Sequence, residues 1–183
     1  MTTENTFTTF NSIHNDLKIV KELVYDKCGF DVANLIQNFE SSAYSACSFV
    51  LDGKVIQQRI SKITPTKTGQ FVTIWKRNKD GETEPFDISD TIDFVVITAR
   101  SGHNFGQFIF PKEVLADKGI ITQSGKEGKR GIRVYPPWDI VTSKQAAKTQ
   151  SWQTNYFLPI KKDNSTDIDL AKKLFAKTNK IVN

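Results

Sequence analysis

Apolar residues recur with two different periods along the 183-residue chain. Phe10, Ile13, Leu17, Val20 and Val24 lie three or four apart, on one stripe of an amphipathic helix that runs to about Lys27 and is closed by Gly29. Val32, Leu35, Ile36 and Phe39 keep the same spacing in DVANLIQNFE, which predicts a second, shorter helix capped by Asp31. From Tyr44 the period falls to two. AYSACSFVL and KVIQQRISKI flank Asp52-Gly53, a dipeptide suited to a type I′ hairpin because both central residues take positive φ. After a turn at TPTKTG, QFVTIWKRN predicts a third strand, with Phe71, Thr73, Trp75 and Arg77 on one face and Gln70, Val72, Ile74 and Lys76 on the other.

TIDFVVITA and FGQFIF, joined by SGHN, are apolar at nearly every position and so predict two strands covered on both faces. Pro111 opens a helix ended by Gly119, GIRVY gives a sixth strand, Ser143 caps a helix through KQAAKTQSWQTNYF, and Thr166 caps a last one over 166–178. The order is helix, strands, helix, strand, helices. It predicts a mixed α/β fold in which a central, largely antiparallel sheet is flanked by helices, in one domain over 1–183 with its core at about 10–160.

Composition narrows the function classes. No window approaches the ~18 apolar residues that span a bilayer, and the polar N-terminus lacks a basic leader and a cleavage site, so the expected location is the cytoplasm and no membrane partner is expected. Cys28 and Cys47 have neither CxxC spacing nor a paired histidine, which predicts buried, reduced thiols. GxGxxG, Walker and HExxH patterns do not occur. His14 and His103 read as incidental.

Charge is unevenly placed. Residues 1–111 carry 11 basic and 13 acidic side chains, whereas 112–183 carry 14 and 7. Lys54, Arg59, Lys62, Lys67, Lys76, Arg77 and Lys79 follow one another with no acid between them, and Asp80, Glu82, Glu84, Asp87, Asp90 and Asp93 come next with no base. Concentrated positive potential attracts polyanions, because each neutralised phosphate releases counterions. Several of these cations alternate with planar side chains: Trp75 with Lys76 and Arg77, Arg133 with Tyr135 and then Trp138, and Lys144 with Lys148 ahead of Trp152. Burial is expected for Trp75 and Trp152. Cations grip phosphates, and exposed rings stack on unpaired bases.

The segments RISKITPTKTGQFVTIWKR, FIFPKEVL and GKRGIRVYPPWDIVTSKQAAKTQSWQTNYF resemble the MepB-like family, small bacterial proteins encoded beside multidrug efflux genes. The resemblance implies a fold similar to PD-(D/E)XK, or restriction-endonuclease-like, enzymes. Their shared core would take the strands near 70–77, 92–99 and 105–110, the helix from Pro111 and the strand at 131–135. Such enzymes hold Mg²⁺ with an acid on one strand and an (Asp/Glu)-x-Lys on the next. Here Asp93 stands for the metal-binding first acid and Gln107 for the second, while the lysine position is Ile109. Folding back at SGHN sets Asp93 opposite Pro111 or Lys112, so Lys112 is the replacement lysine.

The leading expectation is therefore a cytoplasmic protein that binds DNA, RNA or both through the sugar-phosphate backbone, with little sequence preference and a degenerate catalytic motif. Its expected contacts are Arg59, Lys62, Lys67, Lys76, Lys129, Arg130, Arg133, Lys144 and Lys148. One alternative is a nuclease dependent on Mg²⁺ or Mn²⁺, with a rearranged site of Asp93, Gln107 and Lys112 joined by Glu22 or Glu40. Another is a protein-interaction module that docks through the acidic block.

Overall fold

The computed structural model of the protein describes residues 13–176, leaving aside the side chains of 39–41. Phe10 of the first stripe, Glu40 as an extra acid and the end of the helix expected to reach 178 lie outside what is described. The first helix, α1, covers 15–28 and contains a π-helical stretch at Lys21–Tyr25. That wider turn sends both Val24 and Tyr25 into the core. The His14 Nδ1 accepts from the Asp16 N–H at 3.1 Å and caps the helix, a structural role. Gly29, at φ 73°, ends it as expected.

The strands are β1 (Val32–Gln37), β2 (Cys47–Leu51), β3 (Lys54–Ile60), β4 (Lys62–Thr64), β5 (Lys67–Thr73), β6 (Lys76–Arg77), β7 (Thr83–Glu84), β8 (Phe94–Ser101), β9 (Asn104–Pro111), β10 (Gly131–Val134) and β11 (Phe157–Pro159). The later helices are α2 (Lys112–Asp117), α3 (Lys144–Gln153) and α4 (Ile168–Ala176). The fold is mixed α/β. A central sheet runs β1-β2-β3-β8-β9-β11, antiparallel except where β3 lies parallel to β8, and a smaller sheet runs β10-β5-β4.

Several expectations change. DVANLIQNFE is the edge strand β1, not a helix. A bulge between Ala33 and Ile36, with Asn34 at φ 52°, adds a residue to the strand and turns a period of two into an apparent helical spacing. β5 does not join β8 in a meander. It pairs with β10 in the second sheet, and the neighbour of β8 is β3. β11, read as the end of a helix, adds a strand beside β9. Asp167, not Thr166, caps α4, accepting from the Leu170 N–H at 2.9 Å, while the Thr166 hydroxyl closes the preceding loop onto Lys161. Pro111 is the last residue of β9, just before α2.

The Asp52-Gly53 turn takes φ values of 49° and 80°, as the hairpin requires. β8 alternates its side chains between two cores. Phe94 and Val96 join Leu17, Val20, Leu174 and Phe175 beneath α1 and α4. Val95, Ile97 and Ala99 meet Val72, Ile74, Leu115, Ile132 and Val134 on the opposite face. Both faces are thus covered, which accounts for the unbroken apolar run. Among the described residues no helix is long and apolar enough to cross a membrane. Cys28 and Cys47 are buried and free.

Candidate functional site

The residues standing for the nuclease motif fall in two places. Asp93 and Lys112 meet through the backbone, the Lys112 N–H donating to the Asp93 carbonyl at 3.0 Å. The Asp93 carboxylate accepts from the Val55 N–H at 2.7 Å, and its own N–H donates to the Val55 carbonyl at 2.9 Å, a two-way bracket that aligns the starts of β3 and β8. Lys112 turns its ammonium to the Asp90 carbonyl at 3.0 Å. Gln107 is far from both. It lies opposite Thr98, five residues along β8 from Asp93, which is about 17 Å at ~3.4 Å per residue.

Gln107 belongs instead to a sealed polar row beneath α1. The Tyr25 hydroxyl donates to its carbonyl oxygen at 3.3 Å, and its amide donates to the Thr98 hydroxyl at 3.0 Å. Gln58 donates to the same hydroxyl at 3.1 Å, and the Cys47 thiol lies 4.0 Å from the Gln58 carbonyl oxygen. Burial raises the Tyr25 pKa and pushes the Cys47 thiol up to about 12, so both stay neutral. Glu22 is exposed on α1. Among the described residues, no three His, Cys, Asp or Glu side chains are grouped so as to hold a metal ion.

The expected phosphate contacts divide in the same way. Arg59 is buried between the sheets with 2% of its surface exposed. Its Nη1 donates to the Gln58 carbonyl at 2.9 Å, its Nε has no partner, and its guanidinium lies 6.0 Å from the Phe86 ring. Burial lowers its pKa to about 10. Lys76 is clasped by Asp90 at 2.6 Å and Glu84 at 3.3 Å, and Arg130 pairs with Glu127 at 2.8 Å. Arg100, which the sequence did not single out, is held against Asp16 at 2.5 Å. These cations have structural partners.

Lys67, Lys129 and Arg133 come together, joined by Lys118, in a groove of about 590 Å³ between the second sheet and α3. Phe71, Tyr135 and Trp152 supply its planar surfaces, and Gln145 and Thr149 its polar wall. No carboxylate lines it. Among the described residues none of the four cations forms an ion pair. Arg133 is aimed by neutral acceptors: the Gly69 carbonyl at 3.2 Å and the Thr64 hydroxyl at 2.8 Å. Lys118 sits 5.5 Å from the Trp152 ring. Lys62 is exposed on β4 with its ammonium 5.0 Å from the Tyr44 ring. Lys144 and Lys148 are exposed on α3, and Lys148 flanks the stripe of Gln145, Thr149 and Trp152 that faces the groove.

The walls are fixed by side chains standing in for strands. Gln153 completes the free edge of β10, accepting from the Tyr135 N–H at 2.8 Å and donating to the Arg133 carbonyl at 3.0 Å. Ser143 caps α3 by accepting from the Ala146 N–H at 3.1 Å, as expected. A Cβ at Gly69 would lie 2.6 Å from the Tyr135 ring, and one at Gly131 would lie 2.6 Å from Phe71, so both rings settle on bare backbone. Trp138, one of the planar side chains interleaved with the cations, is half-buried and packs against Phe157 at 5.5 Å, beside the core. Trp75 and Trp152 are half-buried, Trp152 lying 5.4 Å from Phe110. Nothing in the local sequence marked Lys118, a lysine at the end of a short helix. Only the fold brings it to the groove.

The acidic block is largely engaged within the chain. Glu84 and Asp90 hold Lys76, Asp93 holds Val55, and Asp87 accepts from the Ser89 N–H and hydroxyl, which lowers its pKa. Asp80 and Glu82 remain in an exposed loop.

No curated protein matches the chain. The chain is similar to the crystal structure of MepB, at 32% identity and a TM-score of 0.69, over 80% of this chain and 97% of that one. The MepB-like family model matches residues 38–159, which include the second sheet, the groove and the whole of α3. The chain belongs to the MepB-like family.

Proposed function

We propose that the protein is a cytoplasmic nucleic-acid-binding protein that grips the sugar-phosphate backbone in the groove between the second sheet and α3. The observation that carries the reading is the convergence of Lys67, Lys118, Lys129 and Arg133, from three separate segments, onto one concave surface without a carboxylate. Like charges held together without counter-ions repel one another, and a polyanion relieves that repulsion while releasing its condensed cations. Lys62 and Lys148 extend the positive surface beyond the groove. Arg59, Lys76 and Arg130 drop out of the contact set because each is already held by the fold.

Backbone contacts carry no sequence information, so the reading implies weak preference among sequences. It contains no cleavage step, since Asp93 and Gln107 are engaged in separate hydrogen-bonded structures. Titration of labelled DNA and RNA oligonucleotides by fluorescence anisotropy at low salt tests it. Binding of both, with affinities within a few-fold for unrelated sequences, supports the proposal. Absence of binding at low salt overturns it.

A further inference from the structure

We propose, resting on the reading above, that the groove is built for unpaired strands, with Tyr135 as the platform for one base. A duplex shows its bases only at the floor of its grooves, where a protruding helix or ribbon must reach them. Here the relation is inverted: the cations line a concavity, and the face of α3 carrying Gln145, Thr149 and Trp152 forms its wall. A flexible single strand can follow such a channel and turn its bases inward.

Tyr135 meets the demands of a stacking platform. It is half-buried, its ring rests on Gly69, and its N–H is tied to Gln153 at 2.8 Å. No other aromatic ring packs on it among the described residues, unlike Trp152 and Phe71, which already lie against Phe110 and Tyr44. Arg133, two residues earlier on the same face of its strand, is positioned to meet the adjoining phosphate.

Among the described residues the exposed large hydrophobic side chains are Ile63, at 63%, and Ile140, at 86%. Ile63 pairs with Gln70, on the sheet face opposite Arg133 and the groove. Ile140 follows Asp139, whose carboxylate accepts from the Gly69 N–H. The loop that carries Ile140 is stiff: the Asp139 N–H donates to the Pro136 carbonyl at 3.0 Å, and the Gln150 amide reaches the Pro136 and Asp139 carbonyls at 3.0 and 2.9 Å. An isoleucine held out in water by a braced loop has no partner within the chain. Unstacked bases offer it apolar faces without the cost of opening a stacked duplex step.

The experiment compares one labelled strand with its duplex at fixed salt, using the wild type, Tyr135→Ala, Tyr135→Phe, Ile140→Thr and Lys129→Ala. The single strand is expected to bind more tightly than the duplex. Tyr135→Ala should weaken single-strand binding by about five- to 150-fold with little effect on the duplex. Tyr135→Phe should retain affinity, and Ile140→Thr, which alters only an exposed side chain, should weaken the single strand alone. Equal or tighter duplex binding, or a Tyr135→Ala protein that binds the single strand like the wild type while Lys129→Ala does not, would overturn the inference and leave the basic groove standing. No binding by the wild type to either form would remove both proposals.

Discussion

Two sets of cations in this molecule look alike in sequence and differ entirely in their surroundings. Lys76, Arg100 and Arg130 are each paired with a carboxylate, and Arg59 is buried against a backbone carbonyl and the Phe86 ring, so all four are fixed as parts of the fold. Lys67, Lys118, Lys129 and Arg133 line a groove that contains no acid. The difference teaches that charge counting along a chain overestimates a polyanion surface. What matters is which positive groups the fold leaves uncompensated, and in MepB-like chains such as this one that depends on contacts between segments far apart in sequence.

The comparison can be broken most sharply by reversing charge in the groove. A Lys67→Glu/Lys129→Glu double variant should lose about a hundredfold in affinity at low salt. Its melting temperature should stay close to the wild type, because neither lysine forms an ion pair among the described residues. The same protein read by anisotropy and by thermal melting separates loss of binding from loss of fold.

The engaged set should behave in the opposite way. Arg59→Ala removes a buried side chain between the sheets and should cost about 2–4 kcal/mol, seen as a lower denaturant midpoint, with nucleic-acid affinity unchanged. Arg59→Met, which fills the space without a charge lacking a carboxylate partner, should match or exceed the wild type in stability. Lys76→Ala frees Asp90 and Glu84 from a half-exposed cluster and should cost about 1 kcal/mol or less, again without weakening binding.

Asp139 gives the smallest and most discriminating effect. It accepts from the backbone N–H of Gly69, the residue on which the Tyr135 ring rests, and burial raises its pKa. A raised carboxyl pKa means that the folded state favours the protonated form. Its destabilising effect is therefore present at neutral pH and is relieved as pH falls through the folded pKa. Asp139→Asn should remove that pH dependence and tighten binding by about two- to threefold, since one negative charge near the bound backbone disappears. Binding by the wild type should also strengthen on acidification over the range where Asp139 takes up its proton, a change the asparagine protein should not show.

Local patterns in the sequence revealed much of the framework. The apolar runs of β8 and β9, the Asp52-Gly53 turn, the stripe of α1 and the Ser143 cap all depend on near neighbours, and each is found where the pattern placed it. The failures come from longer-range or irregular events. A single bulge at Asn34 disguised β1 as a helix, and the sorting of β5 and β10 into a second sheet leaves no local trace. Arg59 follows from that same sorting, since the covering strands that bury it come later in the chain. Lys67, Lys129 and Arg133 were legible as basic residues, but their meeting with Lys118 and Tyr135 is a property of the fold alone.

The most direct measurement is the dependence of log K on log salt for the wild type, Lys129→Ala and Lys76→Ala, on one oligonucleotide. With about six phosphates neutralised, the wild-type slope should be near −5 on duplex DNA and near −4 on a single strand. Lys129→Ala should make it shallower by about one, and Lys76→Ala should leave it unchanged. Equal slopes for the two variants, or a wild-type affinity indifferent to salt, would contradict the division between engaged and open cations.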